Sequence, residues 1–277
     1  MAELPEIETL RRELDKELAG RKIKTVDVSV MKVIPRYRTK KAFTALIEGR
    51  KINGLERRGP LLVAKLDGGD ALMIELGASG QLMRAKTARQ AVTKSTLVVI
   101  TFTQGGQLRI VDPKGEAELW VIPWAEVAQA PELEGLGIDP LESAMSWERF
   151  GRLLYSHHEK LRTLLMDRRM LVGIGPIYAD EILFAAGLRH DRESDQLTEQ
   201  EIRRLYRAIV ETMQEAVKFR GSTHAAKASS GDPFDDEGFE HFKVWERDGD
   251  ACRRCRREIK KARLGGKYHY FCDACQV

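Results

Sequence analysis

The sequence predicts an α+β protein of about two domains, in which a β-sandwich or barrel precedes a helical region and a small cysteine module. Three observations carry this expectation. Short apolar runs alternate with turn residues as far as about residue 122, and the apolar spacing becomes helical from residue 147. All four cysteines of the 277-residue chain lie in its last 26 positions.

An amphipathic helix opens the chain. Ile7, Leu10, Leu14 and Leu18 recur at helical spacing, and Gly20 follows them as a stop signal. The next hundred residues contain apolar runs separated by Asp-Gly and Gly-Gly turns, at 61–66, 71–76, 97–102 and 108–111. No helical pattern interrupts these runs after residue 50, which favours a sandwich or barrel over a parallel Rossmann sheet.

The chain is expected to divide at a segment rich in proline and glycine. We expect an N-terminal β domain over 1–125, a linker over 126–146, a helical domain over 147–238 and a C-terminal module over 239–277. Thr198 and Glu201 form a capping-box pattern, which predicts that a helix begins there.

The cysteines are spaced as two CxxC pairs separated by 16 residues: Cys252, Cys255, Cys272 and Cys275. This spacing is typical of a four-cysteine zinc site, in which each pair supplies two thiolates from a tight turn. One zinc ion with four protein ligands has no open position, so we expect a structural role in a tail too short to build a core. A redox dithiol and two disulfides are the alternatives.

Basic residues are concentrated in two segments of a chain whose net charge is only +4. Residues 251–267 hold eight Lys/Arg against one acid, and residues 21–51 hold ten against two. Such clusters predict a polyanion-binding face, the alternative being a solvated surface. The chain has no run of 18 apolar residues, so we expect no membrane partner and a cytoplasmic, nucleoid-associated location.

Three motifs in this order resemble the formamidopyrimidine-DNA glycosylase / endonuclease VIII family. They are Glu3-Leu4-Pro5-Glu6-Ile7-Glu8-Thr9, the segment Gly173 to Phe184, and Phe271-Cys272-Asp273-Ala274-Cys275-Gln276. Smaller matches are Arg57-Arg58-Gly59, Leu76-Gly77, Ser79-Gly80 and Asp112-Pro113. The resemblance spans nearly the whole chain. It implies a β-sandwich, a helix–two-turn–helix domain and a zinc ribbon.

The resemblance also implies an activity and a set of site residues. Family members flip a damaged base out of the duplex, and the amine exposed by removal of the initiator Met attacks C1′ of the sugar. The implied catalytic residues are Ala2, Glu3 and Glu6, and the implied partner is damaged or abasic double-stranded DNA, bound by a monomer. The candidate DNA-binding residues are Arg162, Gly173, Gly175, Arg263 and Lys267.

The chain departs from the family pattern at several working positions. Ala2 stands where the family has a catalytic proline, so its amine is primary and forms an imine that must be protonated to act as an electron sink. Pro60 replaces a lysine that binds phosphate in the family, and Ala78 replaces a large residue that fills the space of the flipped base. The run Lys114-Gly115-Glu116-Ala117 replaces Arg-Arg-Phe-Gly, which probes the opposite base. Pro176 replaces an Asn that binds phosphate, and Lys267 replaces an Arg that binds phosphate in a bidentate manner.

Three functions follow from these observations. The first is a glycosylase with abasic-site lyase activity that uses Ala2 and Glu3. The second is a non-catalytic protein that binds damaged or distorted DNA with the same fold. The third retains base removal through water activated by Glu3 or Glu6, without strand cleavage.

Overall fold

The computed structural model describes residues 3–142, 146–221, 241–264 and 266–277. Internal contacts group the chain into two compact units. Unit 1 comprises Met1–Glu134 and Arg220–Glu237, and unit 2 comprises Gly135–Phe219 and Gly238–Val277. The boundary after Glu134 falls inside the predicted linker of 126–146, and the helical region shares unit 2 with the cysteine module.

Unit 1 is a β-sandwich preceded by a helix, as the sequence predicts. The helices are α1 (Leu4–Leu18) and α2 (Lys40–Ile47). The strands are β1 (Ile23–Val28), β2 (Ile52–Arg58), β3 (Leu61–Leu66), β4 (Asp70–Glu75), β5 (Gln81–Ala85), β6 (Thr96–Phe102), β7 (Gln107–Val111) and β8 (Glu118–Pro123). They form two antiparallel four-stranded sheets with the orders β1-β6-β7-β5 and β2-β3-β4-β8.

Strand β3 is buried on both faces, which explains its continuous apolar sequence. Leu62 and Ala64 join the core of the sandwich, whereas Leu61 and Val63 face a second cluster around Trp120. The residues of a strand point alternately to its two faces, so an uninterrupted apolar run requires a cover on each side.

Unit 2 contains four helices and a hairpin in its described part. These are α3 (Trp147–Tyr155), α4 (Leu161–Leu165), α5 (Pro176–Ala186), α6 (Glu199–Lys218), and strands β9 (Lys260–Leu264) and β10 (Lys267–Phe271). The predicted capping box is present at α6, where the Thr198 backbone N–H donates to Glu201 Oε2 over 2.8 Å. Among the described residues, no helix combines the length and apolar character that crossing a membrane requires.

Candidate active site and zinc module

Glu3 and Glu6 form a buried capping box at the start of α1. The backbone N–H of Glu3 donates to Glu6 Oε2 over 2.9 Å, and the residues are only 2% and 6% exposed. Acids are favoured at a helix N-terminus because the backbone N–H groups there carry partial positive charge. Met1 and Ala2 lie outside the described residues. Two carboxylates are thus held directly after the predicted nucleophile.

Gly221 lies against the carboxylate of Glu6. A Cβ added at Gly221 would come 2.6 Å from Glu6 Oε1, and its φ of +73° is in the left-handed region. Glycine is the residue that tolerates both the conformation and the close approach. Residues 222–240, which follow Gly221 in the chain, lie outside the described part.

A network of arginines surrounds the carboxylate of Glu8 on the same helix. Arg57 Nε donates to Glu8 Oε2 over 3.1 Å, and Arg11 and Arg12 donate to Oε1 over 2.8 and 2.7 Å. Burial alone would raise the pKa of Glu8, but the three arginines outweigh it and lower the pKa to about 2. Arg57 also donates to the carbonyl of Gly59 over 2.9 Å, so the network holds the β2–β3 turn against α1.

Two loops at the predicted void-filling and base-probing positions are joined by hydrogen bonds. The backbone N–H of Ala78 donates to Glu116 Oε2 over 3.0 Å. Ser79 Oγ donates to Asp112, which also accepts from the backbone N–H of Ala117 over 2.8 Å. Burial would raise the pKa of Asp112, and these hydrogen bonds lower it instead. Glu116 therefore links the loops of unit 1, in addition to replacing a residue of the family pattern.

The two candidate phosphate-binding glycines lie at the start of α5. Gly173 has φ +68°, and Gly175 is the N-cap of the helix in an extended conformation. Pro176 occupies the first helical position, where its fixed φ suits the helix but its nitrogen carries no hydrogen. Phosphate binding by this segment stays a prediction.

Arg162 is buried in unit 2, with its guanidinium against a carboxylate of α5. Arg162 Nε donates to Asp180 Oδ1 over 2.7 Å, and the two side chains are 6% and 0% exposed. Arg162 Nη2 also donates to the backbone carbonyl of Tyr268 over 3.3 Å, and Asp180 Oδ2 accepts from the N–H of Tyr270 over 2.9 Å. The pair anchors strand β10 to the helices. Contact of Arg162 with DNA, expected from the sequence, stays a prediction.

The four cysteine sulfur atoms converge within 4.8 Å of one another. The Sγ atoms of Cys252 and Cys275 are 3.8 Å apart, and those of Cys255 and Cys272 are 3.4 Å apart. Zinc–sulfur bonds of about 2.3 Å in a tetrahedron place sulfur atoms about 3.8 Å apart, whereas a disulfide needs about 2 Å. Burial and the neighbouring sulfur atoms raise the pKa of the Cys275 thiol far above its usual range. A bound divalent cation would stabilise the thiolates that burial and the neighbouring sulfur atoms disfavour, so the four residues fit zinc.

Three side chains attach the cysteine module to the helices of unit 2. Gln276 accepts from the N–H of Cys272 and donates to the carbonyl of Leu188, both over 2.9 Å. Arg254 donates to the carbonyl of Phe184 at the end of α5 over 2.6 Å. Glu181 Oε1 accepts from three consecutive backbone N–H groups over 2.8 to 3.0 Å, those of residues 243–245.

The candidate basic residues of the module lie on the hairpin surface. Arg263 on β9 and Lys267 on β10 are exposed. Neither has a carboxylate within ion-pair distance in the part of the chain that the structure describes. Both positions suit contact with phosphate, which remains a prediction.

Several residues that hold the site together were not predicted from the sequence. Glu8, Arg57 and Gln276 entered only as parts of family motifs, and Gly221 and Asp180 had no predicted role. The adjacent acids Asp180 and Glu181 in an otherwise apolar helix were the available signal, because buried charges require partners. The partners of Asp180 lie 18 and 90 residues away along the chain.

Known protein families match the β-sandwich, the helical region and the cysteine module of this chain. Family models match for the formamidopyrimidine-DNA glycosylase N-terminal domain over 1–119, its H2TH domain over 136–228, and the zinc finger found in FPG and IleRS over 249–277. A formamidopyrimidine-DNA glycosylase of Pelotomaculum thermopropionicum is 34% identical over 276 residues, covering 100% of this chain and 99% of the relative. One of Thermus thermophilus is 36% identical over 277 residues, covering 100% and 98%.

Solved structures agree with this assignment. The Lactococcus lactis Fpg in complex with abasic-site DNA matches with a TM-score of 0.90 and 27% identity over 99% of each chain. A complex of the same enzyme with DNA containing an oxidised pyrimidine matches with a TM-score of 0.88 at 27% identity over 99% of each chain. The predicted sandwich, helical domain and zinc ribbon are confirmed, and the four cysteines form one structural zinc site. The chain belongs to the formamidopyrimidine-DNA glycosylase family.

Proposed function

We propose that this chain is a base-excision DNA glycosylase with abasic-site lyase activity that acts as a monomer on damaged or abasic double-stranded DNA. Family membership along the whole chain supports this, as do relatives that carry the glycosylase name. The observation that carries the proposal furthest is the buried Glu3–Glu6 capping box directly after Ala2. A cytoplasmic location at the nucleoid follows from that substrate.

The proposed nucleophile is the amine of Ala2, available once Met1 is removed. An α-amine titrates near pH 7.7–8.0, so a usable fraction is unprotonated at neutral pH. Its nitrogen attacks the C1′ aldehyde of an abasic sugar, and water leaves to form an imine. Protonation of that imine makes it an electron sink, so loss of the C2′ proton expels the 3′ phosphate and cleaves the strand. A proline amine would give an iminium that is already cationic, so we expect the Ala2 reaction to be slower.

Glu3 and Glu6 are proposed to handle protons around this reaction. Glu3 follows the nucleophile directly and its backbone N–H donates to Glu6, and we assign its carboxylate the exchange of protons with the sugar. The same acids favour a protonated amine, which opposes nucleophilic attack but assists imine protonation.

Lesion recognition is proposed to differ from the family pattern. The Ala78 side chain is too small to fill the space of an extruded base, and Glu116 binds the Ala78 backbone in place of a residue that probes the opposite base. Slow lyase activity on abasic DNA and little excision of 8-oxoguanine are the expected outcome. A non-catalytic DNA-binding role is not favoured, because the compared relatives along the whole chain are named as glycosylases.

Borohydride trapping on an abasic duplex tests the proposal. Reduction of the imine would join the protein covalently to DNA, and mass spectrometry of the adduct would locate the bond at the N-terminal residue. The Ala2→Pro variant should raise the trapping yield because it restores a secondary amine. Protein with an acetylated Ala2 amine is the matched control and should give no adduct.

Two results would overturn the covalent mechanism. One is the absence of any adduct from protein with a verified free Ala2, together with none from Ala2→Pro. The other is an adduct on an internal lysine with none at Ala2. Base removal that persists after acetylation, without strand cleavage, would instead favour water activated by Glu3 or Glu6.

A further inference from the structure

The zinc hairpin presents an aromatic ring to solvent beside two basic residues of the same face. Tyr268 on β10 is 53% exposed, and its register partner on β9 is Arg263. The Lys261 ammonium lies 4.4 Å from the centre of the Tyr268 ring. Lys267, which precedes Tyr268 at the start of β10, points to the opposite face of the strand.

The exposed ring is not required for the core of the module. Tyr270, two residues further along the same strand, points to the same face and is 5% exposed. Its ring packs against Trp245 with centroids 4.9 Å apart. Tyr270 therefore supplies aromatic packing inside the module, whereas Tyr268 leaves half of its surface in water.

The backbone that carries Tyr268 is held firmly on the helical part of unit 2. Its carbonyl accepts from Arg162 Nη2 over 3.3 Å, and Tyr270 N–H donates to Asp180 Oδ2 over 2.9 Å. Both anchoring side chains are buried. A ring on an anchored strand loses little conformational freedom when it binds a ligand, which favours affinity.

The charges around the ring are arranged for a polyanion with flat, apolar groups. The Lys261 Nζ lies 3.7 Å from Asp248 Oδ1 and over the Tyr268 ring, and the exposed half of Tyr268 is accessible to a planar ligand. Arg263 and Lys267 have no carboxylate within ion-pair distance among the described residues. Nucleic acids combine phosphates with bases that stack on aromatic side chains.

We propose that Tyr268 is a stacking residue for an unstacked nucleobase, with Arg263 and Lys267 binding the flanking phosphates. This rests on the proposed function in that DNA is the ligand, and it adds a base contact to a hairpin otherwise expected to bind phosphate alone. DNA opened at a lesion exposes unstacked bases, which supply a ligand of this kind.

Two single-stranded oligonucleotides of equal length test the proposal with the zinc-loaded full chain. One contains thymine bases, and the other contains only abasic spacers on the same phosphate backbone. The wild-type protein should bind the thymine oligonucleotide more tightly. Tyr268→Ala should weaken thymine binding roughly 5- to 150-fold and leave spacer binding unchanged, whereas Tyr268→Phe should retain the preference.

Salt dependence separates stacking from phosphate contacts. Tyr268→Ala should leave the slope of log affinity against log salt unchanged, and Lys267→Ala should reduce it by about 0.7 on both oligonucleotides. Tyr155→Ala is the matched control, because Tyr155 is a 48% exposed tyrosine on α3 of the same unit. It should leave the thymine preference intact.

Equal binding of both oligonucleotides by the wild-type protein would overturn the stacking proposal, as would a preference that survives in Tyr268→Ala. A loss of preference in Tyr155→Ala as large as in Tyr268→Ala would overturn the assignment to Tyr268. The proposed function would stand in each case, since borohydride trapping at Ala2 measures it without involving the hairpin. Absence of binding to either oligonucleotide and to abasic duplex would overturn both proposals.

Discussion

Arg162 on α4 and Asp180 on α5 form a buried ion pair that holds strand β10 at two backbone positions. The Nε to Oδ1 distance is 2.7 Å. Asp180 accepts from the N–H of Tyr270, and Arg162 donates to the carbonyl of Tyr268. A residue expected to contact DNA thus has a structural role, because it sets the position of the hairpin that carries the basic residues.

Removing one partner of this pair should destabilise unit 2. Asp180→Ala leaves the Arg162 guanidinium buried without its carboxylate, which typically costs about 3–5 kcal/mol. Chemical denaturation measures the change in the free energy of unfolding. Asp191→Ala is the matched control, because its pair with Arg189 is solvent-exposed and should contribute less than about 1 kcal/mol. Equal losses from the two variants would contradict the structural role.

Removal of zinc should unfold the cysteine module and leave the β-sandwich intact. The module has a small core, so the metal supplies much of its folding free energy. After chelation, or in Cys272→Ser, limited proteolysis with mass spectrometry should show cleavage within residues 241–277. Binding to DNA should fall in parallel, and added zinc should restore both properties in the wild-type chain. A protease-resistant module without metal would contradict the assignment.

Gly221→Ala should disturb the catalytic acids. The new methyl group would lie 2.6 Å from Glu6 Oε1, so the carboxylate that holds the Glu3 backbone must move. We expect slower strand cleavage in single-turnover assays on abasic duplex. Gly20→Ala is the matched control, because Gly20 has φ +88° and nothing within 4 Å of an added Cβ. If Gly20→Ala slows strand cleavage as much as Gly221→Ala does, backbone strain alone accounts for the slower cleavage.

The stability contributed by Glu8 should depend on pH in the acidic range. The arginines lower its pKa in the folded chain from 4.5 to about 2. A carboxyl with a lowered folded pKa stabilises the fold above its unfolded pKa, and this contribution is lost as the pH falls through the folded value. The difference in unfolding free energy between wild type and Glu8→Gln should therefore be largest above pH 4.5 and shrink toward pH 2. A difference that is constant with pH would exclude the ionised Glu8 as its source.

Ala78→Met should increase selectivity for lesions. A larger side chain can fill the space left by an extruded base, and base extrusion costs a few kcal/mol. The bond from Ala78 N–H to Glu116 uses the backbone, so the substitution preserves it. The ratio of affinities for abasic and undamaged duplex, measured at one salt concentration, should rise. Val92→Met, at a 57% exposed position, is the control and should leave the ratio unchanged. An unchanged ratio in Ala78→Met would show that other residues fill this space.

Local patterns in the sequence determined the main elements and the metal ligands. The apolar runs at 61–66, 97–102 and 108–111 agree with β3, β6 and β7 within one residue at each end. The two CxxC pairs identify all four zinc ligands, because each turn and its cysteines lie within four residues. Strands β2 and β5 were not predicted, since charged and polar residues interrupt their apolar spacing. Strand β8 was not predicted either, although its residues 119–122 form an uninterrupted apolar run.

The tertiary structure alone decided which charged and small residues meet. Gly221 approaches Glu6, Glu116 binds the Ala78 backbone, and Arg162 is buried against Asp180. The sequence did not show which residues pair, because partners separated by 18 to 215 residues are brought together only by packing of the complete units. A buried charge must find a partner, and a left-handed glycine marks a close approach. The fold determines which residue becomes the partner of a buried charge and which side chain a glycine approaches.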